Sequence, residues 1–354
     1  MAVFTTIDDP SAHFKVQLYT GNGTAIGSGG LAVTFNDTDT DMQPDLVWIK
    51  NRETTDAPAI FDAVRGATKV IYPSHNNAEG TVAETLTAFG SDGFTVGSNS
   101  GVNTSSDSHV AWCWKAGTTS GISGSPSITP DSYSFNATSG ISMIKYDGNG
   151  TAGATLPHGL GAAPEFIIIK ATDASESWAV GHAGITWDYY LYLNTTGAAG
   201  DDVKYFNDTS PTSSLFTIGN DGSTNDSSNT YIAYVFTPVQ GYSKFGTYVG
   251  NGNADGPFVY TGFRPAFVMV KRSNSTGSWG MRDNKREAYN NGQDFLLADT
   301  TNADQTSATI DFLSNGFKLR HNGSEENTSG STMIYMAFAE APFVNSSGVP
   351  CNAR

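Results

Sequence analysis

The sequence predicts an all-β chain of tandem antiparallel β-sandwich modules, and three observations carry that prediction. A turn recurs: YTGNGT at 19–24, YDGNGT at 146–151 and YVGNGN at 248–253. Gly and Asn tolerate a positive φ, so each copy reads as a tight turn entered by a strand that ends in Tyr. An apolar run ending in Lys also recurs: PDLVWIKNR, PEFIIIKAT and PAFVMVKRS, with Lys50, Lys170 and Lys271. Finally, each copy closes on an apolar strand, VAWCWKAG, YIAYVFTP and MIYMAFAEAPF.

Between these landmarks the order is kept. Trp178 and Trp279 lie eight residues past the second and third lysines. The first copy offers Phe61, a little later. Next come KVIYPSHNNAE, YYLYLNTTGAAGDD and DFLLADTTNADQT, then FGSDGFTVGSN, SLFTIGNDGSTN and FLSNGFKLRHN. A spacing of about 100 residues is the size of a domain, well beyond a solenoid repeat. Boundaries follow from composition: module one at 1–117, a Ser/Gly/Thr-rich linker at 118–140, module two at 141–240 and module three at 241–354. The joint between modules two and three, TPVQGYSKFG, is so short that these two are expected to pack together.

Apolar runs of about 5 to 8 residues, rich in Val, Ile, Thr, Tyr and Phe, alternate with Gly/Asn/Asp/Ser clusters, as sandwich strands do. In the closing strand Val110, Trp112 and Trp114 alternate with Ala111 and Cys113, so both faces are apolar and a central, doubly covered strand is expected. The best helical candidate is AEGTVAETLTAF at 78–89, long enough for two or three turns.

A formal net charge of −15 repels phosphate backbones, and no Lys/Arg cluster offsets it, so nucleic acid is excluded as a partner. The MAVFT start has neither a basic region nor an apolar one, so no secretory signal is expected. No apolar run approaches the ~20 residues that span a bilayer, and no membrane partner is expected. Cys113 and Cys351 fall in different modules and are expected to be free thiols.

Chemistry-bearing patterns are few. Asp37, Asp39 and Asp41 have the 1, 3, 5 spacing of a calcium loop, but Met42 and Trp48 stand where Gly and Glu are needed. A solvated acidic turn is the expectation, a looser calcium site the alternative, and no metal or cofactor is assigned. GNGTAG at 148–153 fits GxGxxG without a following helix, so it is a hairpin turn. Paired carboxylates for glycoside hydrolysis are missing: Asp188 stands alone, and Glu325 with Glu326 reads as a loop. The six His residues form no HxH or HExxH pair, and His158 is expected to hydrogen-bond a turn backbone. Asn-x-Ser/Thr triplets follow from composition. Trp178 and Trp279 are the binding candidates: they either stack on sugar faces or close the core, with the core favoured. No catalytic set emerges, and the chain is expected not to be an enzyme.

The opening FTTIDDPSAHFKVQLYTGNGT resembles the start of structural proteins of marine bacteriophages, the cyanophage and pelagiphage groups. PDLVWIKNR, FDAVRGA, FGSDGFTVG and VAWCWKAG resemble the repeating module of those proteins, and LPHGLGAAPEFIIIK is similar to a second version of it. The resemblance implies a jelly-roll or concanavalin-A-like lectin/glucanase sandwich and a virion component, with no catalytic residues to carry over. On it rest the expectations of a capsid decoration or cement protein on the particle's outer surface, bound to the major capsid protein or other virion subunits or to itself. The alternative is a tail- or fibre-associated lectin-like module that binds host glycans. Repetition within one chain further suggests a single polypeptide that imitates a trimer.

Overall fold

The computed structural model describes residues 4–35, 40–286, 290, 294–307, 309–322 and 325–351. Asp37 and Asp39 of the acidic turn lie outside them. The chain is all-β, and every strand pair is antiparallel.

Each module is built on one large sheet whose centre is the closing strand. In the first, the order is Phe14–Thr20, Ser108–Trp114, Leu46–Asn51, Ala59–Asp62. The second repeats it with Ile141–Asp147, Thr230–Phe236, Phe166–Ala171 and Ala179–His182, and the third with Ser243–Val249, Thr332–Pro342, Phe263–Arg272 and Gly280–Asp283. The closing strand comes last in sequence yet pairs with both the opening strand and the lysine strand. It therefore seals each sheet and is apolar on both sides. A small sheet covers one side in each module: Leu31–Thr34, Gly93–Val96 and Leu86–Gly90; Ala154–Pro157 and Leu215–Ile218; Phe258–Tyr260, Gly316–Leu319 and Ile310–Leu313. In module one Val33, Leu86, Phe94 and Val96 pack there against Val47, Ile49, Phe61, Ala111 and Cys113.

The recurring turn has one explanation, used three times. A fully buried Asn (Asn103, Asn225, Asn327) accepts through its side-chain oxygen from the N–H of the turn's own Asn, at 2.8 Å to Asn22, 2.8 Å to Asn149 and 2.9 Å to Asn251. The Tyr hydroxyl before each turn donates to the same segment: Tyr19 to Val102 O, Tyr146 to Thr224 O, Tyr248 to Glu326 O. The last Gly of each turn sits at φ +67°, +68° and +64°, where a side chain is strained. Each turn is thus clamped to the loop that precedes its partner strand, which fixes their pairing.

Two stretches depart from expectation. Residues 78–89 hold no helix. They form the strands Gly80–Thr81 and Leu86–Gly90, because Leu86 goes into the sandwich core as a strand residue, and tertiary packing overrides the local helical spacing. Within 118–140, Ser132–Asn136 is an edge strand of the second large sheet, and Ile128 is buried in that module's core.

The other face of each large sheet meets the corresponding faces of the other two. Leu46, Trp48, Trp112 and Trp114 of module one join Met143, Phe166, Ile168, Tyr234 and Phe236 of module two and Phe245, Phe267, Met269, Met336 and Phe338 of module three in one buried cluster. The register aligns Trp114, Phe236 and Phe338 as counterparts. Phe338 lies 5.6 Å from the Trp114 ring and 6.0 Å from that of Phe236. Cross-module backbone bonds close a ring: Glu79 N–H to Thr172 O, Ala199 N–H to Ser273 O and Asp304 N–H to Arg52 O, all 2.7 Å. The residues match by position, and the order one to two, two to three, three to one is cyclic. The three modules form a pseudo-threefold ring within one chain.

Because the inner faces are buried only by each other, the ring is expected to unfold as one unit. Calorimetry should give a single transition whose van't Hoff and calorimetric enthalpies agree, whereas three resolved transitions would show independent modules.

Candidate functional site

Trp178 and Trp279 each sit one residue before the strand that follows the lysine strand, at the junction with the preceding module. Both are buried, at 0% and 1% exposure, so neither presents a face to a sugar. The indole N–H groups tie modules together: Trp178 donates to Tyr72 O at 3.2 Å and His75 O at 2.9 Å, Trp279 to Tyr192 O at 2.9 Å. Their first-module counterpart is Pro58, which precedes Ala59 as Trp178 precedes Ala179. Phe61 lies three residues after Pro58 and faces the sandwich core. Where Trp is missing, charge takes its place. Arg52 of module one pairs with Asp304 at 2.5 Å and Asp294 at 3.2 Å of module three.

The three lysines that mark the repeat are buried. Each Nζ donates to backbone carbonyls: Lys50 to Asn51 and Thr54, Lys170 to Ala171 and Ala174, Lys271 to Arg272 and Gly277. Lys271 also reaches Thr196 O and Gly197 O of module two. Burial pulls all three down to about 8, against the opposing pull of nearby carboxylates. They remain mostly charged at neutral pH and staple loop to strand.

A third repeated position follows the same cycle with changed chemistry. Asp62 accepts from Tyr234 of module two at 2.7 Å and from Arg65 at 2.5 Å, and Arg65 also reaches Glu79. Asp283 accepts from Trp112 of module one at 3.1 Å and from Arg286 at 2.6 Å, and Arg286 also binds Asp304. In module two the position is His182, whose Nε2–H donates to Tyr335 O of module three while Nδ1 accepts from Gly184 N–H at 2.8 Å. Sequence reasoning passed over all three, although Asp-x-x-Arg in FDAVRGA and RDNKRE was a visible signal.

No catalytic constellation forms among the described residues. Asp188 is exposed, and its carboxylate accepts from the Thr186 hydroxyl. Glu326 is buried against Arg282, and Glu325 accepts from Ser278 N–H. His158 is held by turn backbone: Nδ1 accepts from Leu160 N–H and Nε2–H donates to Thr212 O. No group of three or more His, Cys, Asp or Glu among the described residues could hold a metal, and no described helix is long and apolar enough to cross a membrane. Both cysteines are free thiols, Cys113 buried in its strand. Among the described residues, the surface carries an apolar edge in module three. Phe258 and Tyr260 project from the outermost strand of the third small sheet at 45% and 53% exposure. Tyr260 shares a cavity of about 430 Å³ with Phe4 and with Lys244, whose ammonium lies 5.3 Å above the Tyr ring.

The model of a domain family of unknown function, DUF7483, matches residues 9–342. The chain belongs to that family. The match spans all three modules, so the unit the family describes is the whole ring and not one sandwich. No curated protein and no solved structure matches the chain.

Two outcomes follow. Trp279→Ala removes a buried indole and its bond to module two and should cost about 3–5 kcal/mol in urea unfolding. His158 and His182 are both held at about 4 because burial disfavours the imidazolium. The unfolded chain takes up these protons near pH 6.5, so the stability they confer is whole above that pH and lost as pH falls toward 4. Each should account for about 3 kcal/mol. The comparison of wild type with His182→Gln in urea at pH 7 and pH 4.5 should show a shallower loss in the variant.

Proposed function

We propose that this chain is a non-enzymatic structural protein of a bacteriophage particle, a decoration or cement protein that adheres to the outer surface of the capsid. The observation that supports this reading best is the closed ring. One polypeptide presents three related faces about a pseudo-threefold axis, the geometry that fits over a local threefold of a capsid lattice with a single copy. The resemblance of the opening residues to phage structural proteins points the same way. The adhering groups are the exposed edge of module three, with Phe258, Tyr260 and Phe4, because apolar side chains grouped on a polar surface mark contact sites. The surrounding acidic surface keeps free copies apart. Partners are accordingly the major capsid protein or other virion subunits. The lectin-like alternative loses its sequence-level candidates, since Trp178 and Trp279 are internal.

Purified particles test this directly. Quantitative mass spectrometry should find the chain at a copy number matched to the capsid lattice, and a particle reconstruction should place its ring over local threefold positions. Phe258→Asp should reduce incorporation severalfold without loss of folding. A few copies confined to the tail, or none in the particle, would overturn the proposal.

A further inference from the structure

At one strand position the third sandwich carries a charged side chain where the other two do not, and a cavity lies beside it. Register aligns Phe61, Gly181 and Arg282 as counterparts, opposite Val47, Ile167 and Val268. In module one Phe61 fills the space between the sheets. In module two the space beside Gly181 is filled by Trp187 and Phe206, which a Cβ there would meet at 2.6 and 2.8 Å. Module three places a guanidinium there, 2% exposed and paired with Glu326. Beside it is a cavity of about 300 Å³, lined among others by Phe295, Gln305, Ser307, Thr309 and Glu325.

Among the described residues, two buried polar atoms of residues that line it, Arg282 Nε and Thr309 Oγ1, have no hydrogen-bond partner. Buried polar groups are nearly always hydrogen-bonded, and a buried ion pair is tolerated when its remaining hydrogen-bonding capacity is met. Arg282 meets only part of its own: Glu326 takes Nη1, and Phe295 lies 4.9 Å beneath the guanidinium carbon. An apolar ligand would leave Nε and Oγ1 unmet. An anion would face Glu326 and Glu325, and a cation would face Arg282, each at close range. What remains is a neutral group with several hydroxyls, which can accept from Arg282 Nε, exchange a bond with Thr309 and Ser307, and donate to Glu325 or Gln305. The volume is at the low end for ligand pockets and suits one small ring.

We propose that module three binds a neutral sugar unit in this cavity, with Arg282 and Thr309 as the recognition groups. This site is distinct from the buried tryptophans and does not depend on where the protein resides.

Saturation-transfer NMR and calorimetry with the full chain test it, using glucose, galactose, mannose and N-acetylglucosamine as probes and sulfate as the anionic comparison. At least one neutral sugar should bind. Thr309→Val keeps the shape and removes the hydroxyl, and should weaken that binding roughly fivefold to tenfold, the size of one lost neutral hydrogen bond. Ser307→Phe fills the cavity and should abolish it. Unchanged unfolding midpoints for both variants show that the fold is intact. The proposal falls if none of the four sugars binds the folded wild type, if sulfate binds in their place, or if both folded variants bind as wild type does.

Discussion

The constraint on which the structure depends is that each large sheet is apolar on both faces and carries only one lid of its own. The small sheet covers one face. The other, with Trp48, Trp112 and Trp114 in module one and their counterparts elsewhere, has to leave water, at about 25 cal/mol for each Å² of apolar surface. Three such faces meeting around an axis bury one another completely, whereas two would leave a third exposed. Ring closure is therefore the cheapest arrangement of this sequence, and it explains why the modules are joined in one chain.

Closure sets what can vary. Positions at the three junctions perform one task with different chemistry: an indole donates to a carbonyl at two of them, and an Arg between two aspartates serves at the third. The Asp/Arg pairs of modules one and three become a neutral His182 in module two, which makes that junction sensitive to acid. Backbone bonds stay the same at all three, because N–H and C=O groups are present whatever the side chain. The repeat keeps its backbone geometry and drifts in side chains. In module three, freedom from the apolar plug at Arg282 leaves room for a ligand.

Much of this was legible beforehand. The turn triplets, the lysine strands and the alternation in Val110–Trp114 pointed to an all-β chain with a threefold internal repeat. The helix expected at 78–89 was misread because its apolar spacing fits both periods over so short a run, and the sandwich core took Leu86 as a strand residue. Phe61 looked like the counterpart of Trp178 because spacing along a loop does not give register. The strand pairing assigns that role to Pro58.

By itself the sequence determined strand identity, turn positions and the two apolar faces, since these depend on residue type and alternation within a few neighbours. Only the tertiary structure decided where the second face goes, that the tryptophans point inward, which Asn clamps each turn, and that Arg282 lines a cavity. Those facts depend on groups brought together from 44 to 252 residues apart, separations over which no local pattern constrains distance.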